Sequence, residues 1–270
     1  RFQEFINRLA FIESLEQRFP TSPPHKIRDI ANQYSREREE LGEFSALQEN
    51  VLNNLRFKFG IGEGAQGFQL DVDRGLYPGV SSSSPSIVSF RADKIVGVVK
   101  MYESSIGGNR PFVGRISDVN LENRLRTLWG EHGTTTGKPR NLGWLDAVAL
   151  KHAIMSAEID CLVSTCGDRI GDLSKMGGNV KVVVGYKIDG NVFCNWDRSF
   201  HDRRTLYRAQ PIFEEFEPWE TFFDKDKGKL SPNAQRFVDR VQELVGVEFV
   251  SHGYGPDIKD VFEVKDILIE

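Results

Sequence analysis

"GWLDAVALKHAIMSAEIDCLVSTCGD", residues 143–168, decides how the fold is read. Residues 143–157 read as an amphipathic helix, IDCLVST (159–165) as a short apolar strand, and STCGD (164–168) as the polar loop that leaves it. Outward from this unit the same grammar repeats. KIVGVVKMY (94–102) has the apolar run of a buried strand. VKVVVGYKI (180–188) is another, and Asp189-Gly190 turns the chain toward NVFCNW. PIFEEF (211–216) and VEFVS (247–251) are short strands. Between them Ser231-Pro232 opens a helix as cap and first residue, with Phe237, Val241 and Leu244 on one face. Short strands alternating with helices predict an α/β fold with a mostly parallel central sheet flanked by helices.

The N-terminal part is different. Phe2, Phe5, Ile6, Leu9, Ile12 and Leu15 make a helical stripe, PTSPP (20–24) ends it, and 26–57 read as one or two long polar helices. Residues 1–57 are therefore expected to form a helical subdomain and 58–270 the α/β domain, entered through the strand FKFGI (57–61). The 270 residues, 39% hydrophobic and 27% charged, suit a soluble globular protein. A net charge of −4 gives no basis for nucleic-acid binding. No apolar run reaches membrane-spanning length and no secretory signal is visible. Cys161, Cys166 and Cys194 form no CxxC pair. A reduced, cytoplasmic setting is the expectation.

WGEHGTTTGKPRNLGW (129–144) imitates a phosphate loop without being one. A triphosphate cradle needs four residues between its glycines and a hydroxyl after the lysine. Here Thr134, Thr135 and Thr136 alone separate Gly133 from Gly137, and Pro139 follows Lys138. Three hydroxyls, backbone donors, Lys138 and Arg140 suit a carboxylate better.

GEGAQG (62–67) matches a dinucleotide fingerprint, yet Gly75 and Pro78 leave no room for the helix that should follow. A tight turn needing glycine, or a loop offering the Gln66 amide to a purine or ribose, reads better. Asp71 and Asp73 could hold a metal or move protons, and capping turns while pairing with neighbours such as Arg74 is the plainer reading. Ser81–Ser84 could donate to a phosphate or cap a helix. Asp168 follows a strand end, where α/β proteins bind ligands, and could read a guanine edge or cap the next turn. The five histidines lack metal-ligand spacing, and His132 and His252 are the two that lie beside candidate loops.

In this order the motifs resemble the adenylosuccinate synthetase family. That family shows an EGAQG turn, then D-x-D-x-G-x-Y-P-x-V-S/T-S-S, a K-x-Y strand, T-T-G-R-x-R running into G-W-L-D, a T-K-x-D base-reading loop and a late G-P. This chain has Glu63–Gly67, Leu70–Ser83 with Tyr77-Pro78, Lys100-Met101-Tyr102, Thr135–Arg140, Gly143–Asp146, Thr165–Asp168 and Gly255-Pro256-Asp257. The likeness runs from about residue 60 to the C-terminus.

The resemblance implies a C–N ligase that couples a purine monophosphate, IMP, to L-aspartate while a nucleoside triphosphate is hydrolysed. It places Gln66, Leu70, Ser81, Ser82 and Ile106 against the purine nucleotide. Thr134, Thr135, Thr136, Lys138 and Arg140 fall on the aspartate, and Asp168, Gly253 and Gly255 on the base of the triphosphate. It implies GTP or ATP as co-substrate, Mg²⁺ and a homodimer, with no nucleic acid or membrane partner.

The departures are equally specific. Neither G-x-x-x-x-G-K-S/T nor the family's G-D-E-G-K-G occurs, so no catalytic or metal residue is assigned within this chain. The resemblance places those groups and the Mg²⁺ site in an N-terminal part, and a start at Arg1 without methionine favours a longer protein. Lys138 stands where the family has arginine, and Cys166 where it has lysine. A relative from phages, which makes 2-amino-deoxyadenylosuccinate from dGMP with an adenine nucleotide, is the alternative activity. A purine- and amino-acid-binding regulator without chemistry is the other.

Overall fold

The computed structural model describes residues 61–86, 92–106, 110–134 and 137–265. The helical subdomain expected over 1–57, most of the strand expected over 57–61, and Thr135 and Thr136 lie outside these residues. Gly62–Glu270 form one compact unit.

Its elements run β1 (Val96–Lys100), β2 (Tyr102–Ile106), α1 (Val119–Leu128), β3 (Arg140–Asp146), α2 (Ala147–Ala157), β4 (Cys161–Thr165) and α3 (Gly171–Lys175). Then come β5 (Val180–Ile188), β6 (Asn191–Phe193), α4 (Arg203–Tyr207), β7 (Gln210–Phe216), β8 (Phe223–Asp224) and β9 (Lys229–Leu230). The last are α5 (Pro232–Val245), β10 (Phe249–Gly253) and β11 (Val261–Glu263). The fold is α/β. β1, β4 and β10 form a parallel ladder, with β11 added antiparallel at its edge. β3 and β5 are parallel too, and β2, β6 and β7 extend their sheet antiparallel. The chain passes from one sheet to the other at Met101, between β1 and β2. Helix α2 packs on β5 and on α5, and α1 on β3.

β1 and β5 are rich in β-branched residues, whereas β3 (RNLGWLD) holds none and β7 only Ile212. In β5 both faces are buried, which explains its nearly continuous apolar run. Val182 and Val184 face the main core, while Val183 faces a smaller cluster with Phe200 and Leu206. After the register shift at Val183/Gly185 the sides change, so Tyr186 and Ile188 join the smaller cluster. Asp189 and Gly190, both at positive φ (49° and 87°), then close the hairpin to β6.

Helix α5 buries Ala234, Phe237, Val238, Val241 and Val245 along one stripe, with Leu244 partly buried beside it. Each large side chain so buried contributes roughly 1.5–3 kcal/mol. Pro232 opens the helix as its spacing predicts, but the Ser231 hydroxyl makes no capping bond. One expected boundary differs. Gly143–Asp146 continue β3, and the helix begins only at Ala147. Asp146 stops the strand by turning its carboxylate onto the Ala149 N–H at 3.0 Å, an N-cap that the apolar periodicity alone does not mark.

Candidate functional site

The loop ahead of β3 is a closed hairpin. The Arg140 N–H donates to the Glu131 carbonyl at 3.0 Å, Gly133 N–H to the Lys138 carbonyl at 2.8 Å, and Gly137 N–H to the Gly133 carbonyl at 2.8 Å. Gly137 sits at φ 62°, a conformation that penalises any side chain. The hairpin leaves Thr134 and Lys138 exposed at its tip. It feeds a strand, not a helix N-terminus, which fits the absence of a triphosphate cradle.

Beneath it lies Glu131, 1% exposed. Its Oε1 accepts from Lys100 Nζ (2.8 Å), the Tyr102 hydroxyl (2.5 Å) and Arg169 Nη1 (2.9 Å), and its Oε2 from Arg140 Nη1 (2.7 Å). Burial by itself would raise this carboxyl; the hydrogen bonds from Lys100, Tyr102 and Arg140 outweigh it and hold the pKa down to about 2. Lys100, Arg140 and Arg169 each keep about a third of the side chain exposed. Three cations around one carboxylate leave an excess of positive charge at this wall of the site.

The Gln66 segment forms a second wall. Ser81 donates through N–H and hydroxyl to the Leu70 carbonyl (2.7 and 2.8 Å), and Ser83 Oγ donates to Gln66 Oε1 at 3.1 Å. Gln66, Leu70 and Ser81 are thus brought together, with Ser82 exposed between. The expected tight turn that needs glycine is a correction: the positive φ belongs to Gln66 (68°), not to Gly62, Gly64 or Gly67. No full helix follows, only the short turn Phe68–Leu70, which removes the dinucleotide fingerprint's context. Arg110 packs beside Gly79 of the serine turn and donates Nη2 to Ser105 Oγ of β2. On that strand Ile106 pairs with Arg140.

The third wall is the turn after β4. Cys166 adopts φ 60°. Trp219 Nε1 donates to the Gly167 carbonyl at 2.7 Å, and Gly167 N–H to the Gly253 carbonyl at 3.3 Å. A Cβ on Gly167 would lie 2.4 Å from the Phe222 ring, so the close approach requires glycine. Asp168 is exposed, and its carboxylate has no partner among the described residues. Tyr254 stacks on Phe223 (4.8 Å between centroids), with Lys225 Nζ 5.1 Å above its ring. Gly255 faces the Asp260 carboxylate. Asp168, Gly253 and Gly255 therefore share one corner.

Contacts link the three walls. The serine turn touches Arg110, Arg110 bonds to β2, β2 pairs with β3 at Arg140, Arg140 meets Glu131, and Glu131 meets Arg169 beside Asp168.

Other candidates resolve as structural. Asp71 is buried and accepts from the N–H groups of Asp73 (2.8 Å), Arg74 (3.0 Å) and Ser86 (3.1 Å), while Asp73 accepts from Ser84 Oγ. Arg74 pairs with neither acid and donates to the Ser156 carbonyl at 2.5 Å. His252 is a correction. It is 2% exposed, bonded to Ser164 Oγ at 2.7 Å through Nδ1, and boxed in by Phe222 and Phe249. Burial pushes its pKa down to about 4. His132 is exposed and opposite Pro139 in the hairpin. The cysteines are free, and among the described residues no cluster of His, Cys, Asp or Glu could hold a metal ion. Among those residues no helix is long and apolar enough to cross a membrane. The sequence reading missed Glu131, Arg169 and Arg110, because their partners are distant in the chain and no local spacing announces them.

Known proteins are similar to this chain. The family described as adenylosuccinate synthetase matches residues 2–262. The adenylosuccinate synthetase of Lactobacillus acidophilus is 33% identical over 260 residues, 90% of this chain and 58% of that protein. The enzyme of the same name from Streptococcus gordonii is 33% identical over 270 residues, 95% of this chain and 61% of its own. The chain thus spans a little over half the length of these relatives. The structure of fully ligated adenylosuccinate synthetase from Plasmodium falciparum superposes with a TM-score of 0.80 at 23% identity, covering 98% of this chain and 64% of that one. That likeness shows the fold.

Proposed function

Because the chain belongs to the adenylosuccinate synthetase family, we propose that the whole protein joins L-aspartate to the purine ring of IMP, with a nucleoside triphosphate as phosphate donor. A purine 6-oxygen leaves poorly until it is phosphorylated, after which the aspartate amine displaces phosphate. This chain's share is to bind and orient. The Thr134–Arg140 hairpin takes the aspartate carboxylates, using backbone donors, Lys138 and the guanidinium of Arg140. The turn of Gln66, Leu70, Ser81 and Ser82, with Ile106, takes the purine monophosphate. Asp168, Gly253 and Gly255 take the base of the triphosphate.

One observation carries the reading. Ile106 and Arg140 are register partners on β2 and β3, so the purine side and the amino-acid side meet across one pair of strands. An amine and the ring carbon it attacks must be held within contact distance, and this backbone adjacency supports the reading. Mg²⁺, which the family implies, finds no ligand cluster among the described residues. The homodimer is part of the same proposal.

A second reading concerns the phosphate donor. A lysine that would lie along guanine is replaced by Cys166, held at φ 60°. Loss of that cation favours no particular base, which keeps adenine nucleotides, and dGMP as acceptor, within the proposal. The test is an assay of the full-length protein with aspartate and Mg²⁺, crossing IMP and dGMP against GTP and ATP. Aspartate-dependent release of phosphate with one pair supports a ligase and names its substrates. Binding of purine and aspartate without turnover would replace it by a regulatory binding protein.

A further inference from the structure

Glu131 does more than fill a buried position. It lies three residues beyond the end of α1, and its carbonyl accepts the Arg140 N–H that closes the hairpin. Its two carboxylate oxygens divide the work. Oε2 holds Arg140 at 2.7 Å, on the amino-acid side. Oε1 holds Arg169 at 2.9 Å, the residue next to Asp168 on the base side. Lys100 and Tyr102, at the point where the chain changes sheets, complete the set at 2.8 and 2.5 Å. Tyr102 also accepts from Arg169 Nη1 at 2.5 Å and packs its ring 4.4 Å from Trp129. Oε1 accepts from three donors and Oε2 from one, and because the acceptor is a charged carboxylate each bond is charge-assisted and holds its donor in place.

We propose that Glu131 is a positioning residue that ties the aspartate-binding hairpin to the base-reading turn, so that one carboxylate sets the geometry of both substrate sites. The inference rests on the site assignment made above. Without Glu131, three cations would face one another unneutralised, and Arg140 and Arg169 would swing apart. Removing Arg169 instead takes one of the three donors from Oε1, leaving Lys100 and Tyr102, and the shifted carboxylate carries the consequence to Arg140 on the other side. Coupling of this kind is reciprocal: occupancy of either site changes the affinity of the other by the same factor.

The test uses the full-length protein and the variants Glu131→Gln, Arg169→Met and Arg169→Lys, with Tyr186→Phe as a control. Tyr186 donates a buried hydrogen bond to Asp146 at 2.6 Å, at the opposite end of β3 from Arg140. Hydrogen exchange is read at residues 137–142 and 165–170. Glu131→Gln raises exchange in both segments, and Arg169→Met raises it in 137–142 as well as in its own turn. Arg169→Lys, which keeps a charged donor, restores much of the protection, and Tyr186→Phe leaves both segments as in the parent. In the assay Arg169→Met raises the KM for aspartate by about fivefold or more, although the residue lies on the base side. Exchange confined to 165–170 in Arg169→Met, or an unchanged KM for aspartate, overturns the proposal. If the parent protein shows no aspartate-dependent turnover, the substrate assignment fails, and the exchange comparison alone still decides whether Glu131 joins the two segments.

Discussion

Arg140 is joined to Glu131 twice: its N–H donates to the Glu131 carbonyl at 3.0 Å, and its Nη1 to Oε2 at 2.7 Å. The first bond closes the hairpin and the second aims the guanidinium from its base. A side chain held at both ends loses little entropy when a ligand arrives, which is what a carboxylate site requires.

Replacing Arg140 with methionine should raise the KM for aspartate by about tenfold or more, since a charge-assisted bond to a carboxylate is worth roughly 1.5–3 kcal/mol. The KM for IMP should move far less. Lysine should rescue only partly, because it cannot form the planar fork. Steady-state kinetics with each substrate varied in turn decide this; equal effects on both KM values would contradict the assignment.

Asp168 carries no partner among the described residues, so its carboxylate is available to a base. Asp168→Ala should abolish whatever preference the parent shows between GTP and ATP, leaving kcat with the poorer donor nearly unchanged. Competition between the two nucleotides in one reaction measures it. A retained preference would mean that another group reads the base.

Gly167 should tolerate no side chain. Gly167→Ala drives a Cβ into the Phe222 ring and should cost about 1–3 kcal/mol, the range for overpacking. Shortening the ring in Gly167→Ala/Phe222→Leu should return part of that loss. Thermal and denaturant unfolding of the two variants test the pair; a fully stable single variant would show that the turn yields easily.

Acid should destabilise the fold in two stages. Burial lowers the His252 pKa from 6.5 to about 4, so the unfolded chain binds a proton that the folded chain refuses. Stability from this group is complete above pH 6.5 and is lost as pH falls toward 4, roughly 2 kcal/mol of it by about pH 5. His152, also lowered to about 4 by burial and by His201, adds to the same window. Glu131 acts later: its stabilisation is present above the usual carboxylate pKa of 4.5 and disappears only as pH falls toward 2. Denaturant unfolding of the parent and of His252→Asn across this range should show a shallower loss in the variant between pH 7 and 5. Parallel curves would contradict it.

Much of this arrangement is legible in the chain. β5 follows directly from its β-branched run, β7 from the short stretch PIFEEF, and α5 from Ser231-Pro232 and its apolar stripe. The GWLD stretch misleads because it runs without a break signal into the apolar helix that follows, whereas Leu145 pairs with Val182 in the sheet. Its boundary is set by the Asp146 cap, a tertiary choice. The motif residues around Gln66, Arg140 and Asp168 can be found by their polar, turn-forming neighbours. Glu131 cannot. Its donors come from positions 100, 102, 140 and 169, and only the folded sheets bring them to one carboxylate.

The most direct measurement is a structure of the full-length protein with aspartate, IMP and a non-hydrolysable triphosphate bound. The account predicts an aspartate carboxylate on the Thr134–Arg140 hairpin in contact with Arg140, the purine against Gln66 and Ile106, and the triphosphate base beside Asp168. Aspartate bound elsewhere, with the Arg140 guanidinium still turned only to Glu131, would contradict it.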